Sequence, residues 1–131
     1  MHRRHVLSLF AAAVVIATMA TAAVAAEFSA YSPASFDAAV KSGAPVIVHV
    51  HADWCPTCRA QAPTLQAMAG ESAYAKARFI RVNFDKDKDF LTGHKISQQS
   101  TVLVFKGGKE AARFTGITDA GQLRGRVQAA L

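Results

Sequence analysis

No basic run interleaved with aromatic residues occurs in this chain, so the electrostatic footprint of a nucleic-acid binder is missing and no nucleic-acid partner is expected. The densest cluster of acids, Asp85-Lys86-Asp87-Lys88-Asp89, lacks the glycine and the closing glutamate of a calcium loop and reads as a solvated turn entering a helix. Beyond the first 26 residues there is no internal repeat, linker or low-complexity segment. A length of 131 residues leaves nothing over for a second domain, given roughly 100 to 200 residues per domain. Cysteine is scarce as well, with two residues. In an exported chain two cysteines suggest one structural disulfide. Cys55 and Cys58, however, close so small a ring that the bond removes little entropy from the unfolded chain. A pair this close is reactive or metal-binding.

What is present begins with a leader. Met1-His2-Arg3-Arg4-His5 supplies a basic segment, Val6 to Ala20 an uncharged apolar one, and Ala23-Val24-Ala25 the small-residue pattern of a cleavage site. Residues 1–26 are therefore expected to be a signal peptide, with a mature domain over 27–131 exported to the periplasm. Retention as an N-terminal membrane anchor is the competing reading, because Val6 to Ala26 is just long enough to cross a bilayer of about 30 Å. Arg3-Arg4 lacks the preceding Ser or Thr and the following Phe of a twin-arginine signal. Cleavage removes both arginines and takes the net charge from +6 to +4, with 13 basic and 9 acidic residues scattered over the rest.

The cysteines fall where one element hands over to another. Pro45-Val46-Ile47-Val48-His49-Val50-His51-Ala52 is rich in β-branched residues and bounded by Gly43-Ala44-Pro45, which predicts a buried strand. From Arg59 to Tyr74, Leu65, Met68 and Ala69 recur at helical spacing. Pro56 suits the first helical position because its missing N–H would be unpaired there. Free backbone N–H groups and the positive end of the helix dipole then face the sulfur of Cys55 and favour its thiolate. Cys55 is the expected nucleophile. Cys58, one turn deeper, is the expected resolving residue of a two-electron cycle that needs no cofactor beyond its own redox-active disulfide.

The complete reading is strand Phe28–Tyr31, helix Pro33–Lys41, strand Pro45–Ala52, helix Pro56–Tyr74, strand Arg78–Asn83, helix Lys88–His94, strand Thr101–Lys106, strand Glu110–Thr115 and helix Asp119–Ala130. Strands alternating with helices and closing in a hairpin give an α/β fold with a central mixed β-sheet flanked by helices on both faces.

Ala52-Asp53-Trp54-Cys55-Pro56-Thr57-Cys58 resembles the A-x-W-C-x-x-C active site of the thioredoxin family. Pro63, Val82-Asn83-Phe84-Asp85, Thr101-Val102-Leu103-Val104-Phe105-Lys106-Gly107-Gly108, Gly116 and Asp119-Ala120-Gly121-Gln122-Leu123 extend the resemblance over most of residues 28–131. It implies a thioredoxin fold, thiol–disulfide oxidoreductase activity on protein thiols and disulfides, and a substrate surface that takes in Trp54, Pro56, Thr57, Ser100 and Thr101. For an exported member the expected direction is reduction, with electrons from a membrane-bound donor and a monomer as the working unit. The Trp-Cys-Pro-Thr-Cys motif is also similar to that of the membrane-tethered reductants of cytochrome c maturation, although their insertion and Glu-carrying groove segment are not evident here. A proline after the first cysteine occurs in strong oxidants too, so the direction of exchange stays open.

Three positions depart from the family pattern. Ser100 stands where the family places a cis-proline, in a loop that lines the substrate groove and keeps metals from the cysteines. The Gln99–Ser100 bond is expected to be trans, since a cis bond before a non-proline costs about 2.5 to 4 kcal/mol. His49 takes the place of a buried acid that serves the resolving cysteine, and a neutral imidazole is able to relay that proton. A core histidine hydrogen-bonded to backbone is the competing reading. Arg81, at a neighbouring family lysine position, would disfavour the imidazolium. His51 replaces a second aromatic and shares a strand face with His49. His49, His51, Cys55 and Cys58 thus form a nominal zinc-type ligand set. The alternative function is accordingly a module that binds a metal or a partner protein without exchange activity. His94 is read as a surface residue at a helix end, where a cation complements the dipole. Phe79, Phe84, Phe90, Phe105 and Phe114 are read as core, and Trp54 as part packing group, part contact surface.

Overall fold

The computed structural model describes residues 28–131. The leader and its cleavage site lie outside them, and among the described residues no helix is long and apolar enough to cross a membrane.

Strand β1 (Phe28–Ala30) leads into helix α1 (Pro33–Lys41), whose start is set by Pro33 in the first turn and by Ser32 and Ser35, each side chain accepting from the other's backbone N–H. There follow β2 (Val46–His51), α2 (Pro56–Ala69), β3 (Arg78–Asn83), α3 (Lys88–Gly93), β4 (Thr101–Lys106), β5 (Lys109–Thr115) and α4 (Ala120–Ala129). The strands form one sheet in the order β1-β3-β2-β4-β5. β1 and β2 run parallel to β3, while β4 is antiparallel to β2 and to β5. β4 and β5 are joined through Gly107 and Gly108, whose φ angles of 57° and 80° are those of a two-residue hairpin turn that only glycine or asparagine enters readily. This is the mixed, doubly covered sheet expected of a thioredoxin fold.

β2 is the central strand and every one of its six residues is buried. Val46, Val48 and Val50 pack with Phe36 of α1 and Phe90 of α3 on one face. Ile47 packs on the other with Leu65 and Met68 of α2 and Leu123 and Val127 of α4. Each such side chain contributes about 1.5 to 3 kcal/mol by leaving water, so the register of β2 is firmly held. Alternation then sends His49 and His51, odd-numbered like Ile47, to the face that α2 covers.

Two expectations need correction. The helix expected to run from Pro56 to Tyr74 ends at Ala69, because Gly70 is a poor helix former and Glu71 is extended (φ −85°, ψ 144°). A separate 3₁₀ turn, Ser72–Tyr74, folds the Tyr74 ring back into the core, edge-on to Phe79 at 6.1 Å. His94 is half-buried among aromatic rings rather than a free helix-end cation. Its ring lies 4.2 Å from that of Phe90 and meets Phe36 and Phe105 edge-on, and burial, opposed by Glu110, draws its pKa down. Of the five phenylalanines read as core, Phe84 is half-buried and packs on the two cysteines and Ala52.

Candidate functional site

Cys55 caps α2. Its backbone is extended (φ −87°, ψ 112°), Pro56 follows in the first turn, and Sγ accepts the backbone N–H of Cys58 at 3.1 Å. The helix start thus presents a backbone donor to the Cys55 sulfur. Cys58 is wholly buried and directs its thiol toward the carbonyl oxygen of Val50 at 3.8 Å. Burial, reinforced by the hydrogen bond and charge of Cys55, pushes its pKa up to about 11. The two sulfurs are therefore unequal. Cys55 is itself only 2% exposed, so a partner reaches its sulfur along a narrow approach.

That approach is framed by exposed groups. Trp54 is 57% exposed and held by an Nε1–H bond to Asp85 Oδ2 at 2.9 Å, with Phe84 edge-on at 6.5 Å. The acidic turn read as merely solvated therefore anchors the indole. Pro56 is exposed and Thr57 half-buried beside it. Ser100 and Thr101 are buried: the Ser100 hydroxyl donates to Gln99 O at 2.6 Å, and the Thr101 hydroxyl bonds Gln98 O and Thr115 Oγ1, each at 2.9 Å. Their side-chain hydroxyls are thus engaged internally.

No cis peptide bond occurs among the described residues, so Gln99–Ser100 is trans. Ser100 instead takes a left-handed φ of 57°. Such a backbone costs a non-glycine residue about 1 to 2 kcal/mol, and it is held by three bonds: Ser100 N–H to Val50 O at 2.8 Å, and Gly116 N–H and Gln61 Nε2–H to Ser100 O, each at 3.1 Å. Ser100→Val is expected to lower stability by about 2 kcal/mol, because a β-branched side chain fits this region worst, whereas Ser100→Gly should stay within about 1 kcal/mol of wild type. Urea denaturation of the two variants checks the contrast.

Behind the cysteines lies a polar cluster inside the apolar face. Gln61, fully buried on α2, donates through Nε2 to Ser100 O (3.1 Å) and Ile117 O (3.0 Å) and places Oε1 3.0 Å from His49 Nε2. Both carbonyls only accept, so the amide nitrogen must face them and the amide oxygen must face the imidazole. The His49 proton consequently sits on Nε2, and Nδ1 is a bare, buried lone pair with no hydrogen-bond partner. Neither earlier reading of His49 foresaw this side-chain partner. Burial, with His51 and Arg81 adding repulsion against the Gln61 bond, pushes the His49 pKa down to about 4. The influence expected of Arg81 is in the expected direction. His51 follows the same logic: its Nε2 lies 3.1 Å from Asp53 Oδ1, a carboxylate that only accepts, and its Nδ1 is again buried and unpartnered. One ring nitrogen of each histidine and Cys58 Sγ lie within 4.8 Å of one another, while Cys55 stands outside that group.

Gln61 was missed by sequence reasoning although a signal existed. It stands three residues after Cys58 on the stripe that continues through Leu65 and Met68, a polar residue on an otherwise apolar helix face.

Fold and site together define a class, an α/β protein with a cysteine pair at the start of a helix that covers the central strand. The family model described as thioredoxin matches residues 27–129, and the chain belongs to the thioredoxin family. Mouse mitochondrial thioredoxin is 34% identical over 87 residues, 66% of this chain and 52% of that one. Echinococcus granulosus thioredoxin is 32% identical over 95 residues, 72% of this chain and 86% of its own. The chain thus spans about half the length of the mitochondrial relatives it matches. Among solved structures, Trxlp from Edwardsiella tarda aligns with a TM-score of 0.72 and 40% identity over 74% of this chain and 94% of that one.

Proposed function

We propose that this protein is a thiol–disulfide oxidoreductase that reduces protein disulfides outside the cytoplasm, cycling between a Cys55–Cys58 dithiol and disulfide without a further cofactor. The observation that carries the reading is the seat of Cys55 Sγ at the start of α2, where the Cys58 N–H bonds it at 3.1 Å. Membership of the thioredoxin family supports oxidoreductase activity over a binding module that lacks it.

The Cys55 thiolate attacks one sulfur of a substrate disulfide, forming a mixed disulfide and releasing the other sulfur as thiolate. Cys58 then loses its proton to the bare Nδ1 of His49 and attacks Cys55 Sγ. The mixed disulfide breaks, the substrate leaves with two electrons, and the Cys55–Cys58 disulfide is left. The His49 imidazolium, disfavoured by burial, passes its proton to the departing thiolate. Trp54, Pro56 and Thr57 are the substrate-facing surface in this reading, with the Ser100–Thr101 backbone at its edge. Location in the periplasm belongs to the same proposal and is supported by the basic-apolar-small leader of residues 1–26; action as a monomer and resupply by a membrane-bound donor complete it.

Reduction of insulin disulfides tests it. Wild type is expected to be active, Cys55→Ser inactive, and the reduction potential to fall near about −270 mV. A potential near about −120 mV would reverse the direction of transfer, and equal activity in Cys55→Ser would end the proposal.

A further inference from the structure

The exchange cycle uses one of two bare imidazole nitrogens and leaves the other without a task. His49 and His51 lie on one face of β2, their rings 5.3 Å apart, and both are buried with Nδ1 unpartnered. An unpaired polar atom in the interior costs free energy. Two of them, on neighbouring rings of the strand face covered by the helix that carries a buried thiol, make a ligand set. One nitrogen of each ring and Cys58 Sγ already lie within 4.8 Å of one another. The far side of each ring is also arranged as in metal sites, where a ligating histidine donates its other N–H to a carboxylate or carbonyl oxygen that fixes tautomer and orientation. Asp53 does this for His51 and the Gln61 amide oxygen for His49.

We propose that the reduced protein binds one zinc-type divalent cation between His49, His51 and the Cys58 thiolate, with Gln61 and Asp53 holding the two rings. Two imidazoles and a thiolate suit a borderline-soft cation and disfavour magnesium and calcium, which take oxygen ligands. Zinc bonds of about 2.0 to 2.3 Å bring tetrahedral ligand atoms to about 3.3 to 3.6 Å from one another, so the cluster closes by about 1 Å on loading. The fourth position stays open. Binding conserves charge and atoms simply: the cation takes two neutral imidazoles and the Cys58 sulfur, and the thiol proton leaves to solvent. No electrons move. Because Cys58 Sγ cannot be at once a metal ligand and half of a disulfide, metal loading and the oxidised state exclude each other. The site stands on the cluster alone and does not depend on the exchange reading.

The test is titration of the reduced and the oxidised full chain with zinc against a chromophoric chelator, together with cobalt(II) substitution. The expected result is one equivalent bound by reduced protein and none by oxidised protein. Cobalt should give a thiolate-to-metal charge-transfer band and two hyperfine-shifted, solvent-exchangeable imidazole N–H signals, from the Nε2–H groups of His49 and His51. Cys58→Ser and His51→Gln should each weaken binding by about 100-fold or more, and Cys55→Ser by less than about tenfold. Failure of reduced wild type to take up metal overturns the proposal. So does a plain dithiol chelate, in which Cys55→Ser abolishes binding and His51→Gln does not. The cobalt signals are read on wild type and depend on no variant folding. Insulin reduction assayed with a chelator present reports the exchange reading separately, so either can fail alone.

Discussion

In Cys58→Ser, exchange is expected to halt at its midpoint: the protein accumulates as a covalent mixed disulfide through Cys55, and turnover falls on the order of 10³-fold or more. The reason lies in the inequality of the two sulfurs. Cys55 receives a backbone N–H at the start of α2. Cys58 has no exposure, and burial together with Cys55 pushes its pKa up to about 11, so at neutral pH it is a thiol and does not attack first. Its turn comes only after Cys55 is bonded to substrate, and a serine hydroxyl cannot take it. Intact-mass measurement after incubation with a disulfide substrate should show the protein plus one substrate chain, removed by dithiothreitol. Cys55→Ser should show no adduct. An adduct on Cys58 in that variant would assign the roles the other way round.

Much of this was legible in the chain because the strong signals were local. The β-branched run around Val46–Val50 reads as a buried strand and Pro56 marks the helix start, each through backbone preferences that do not depend on distant partners, and the segment ending in Gly107-Gly108 matched the family's hairpin. The parity of β2 even foretold that His49 and His51 share a face. The failures are equally instructive. Helical spacing around Leu65 and Met68 carries no information on where the pattern should stop, and Tyr74 was taken into α2 when its ring belongs to the core beside Phe79. His94 looked like a helix-end cation because the aromatic rings that enclose it, Phe36 and Phe105, come from other elements. The left-handed Ser100 and the bonds that hold it join β2, α2 and the segment after β5. Such a junction exists only once the chain has folded.

Gln61 is where those long-range bonds meet, and Gln61→Leu is accordingly expected to be among the most damaging single substitutions away from the sulfurs. The side chain is fully buried, and three hydrogen bonds leave it for three different elements of the chain: His49 on β2, Ser100 ahead of β4 and Ile117 ahead of α4. Leucine is close in size, so the cavity contribution is small. What it leaves behind is one buried N–H, one buried carbonyl and one part-buried carbonyl without that partner, at about 1 to 3 kcal/mol for each group fully stranded. Ser100 O keeps a second donor in Gly116 N–H, which softens its share. A total loss of about 2 to 4 kcal/mol follows, a large part of the 5 to 15 kcal/mol typical of a whole domain. In urea this should appear as a lower midpoint at unchanged slope. A second readout separates this network from simple packing. With Gln61 gone nothing holds the His49 proton on Nε2, so ¹⁵N NMR of the ring should change from one tautomer to a mixture. Gln61→Glu keeps an acceptor for His49 while removing both donors, and should preserve the tautomer even as stability falls. If Gln61→Leu leaves the midpoint and the tautomer unchanged, the polar cluster behind the cysteines is incidental, and its hold on the His49 tautomer is lost as a support for the proton relay.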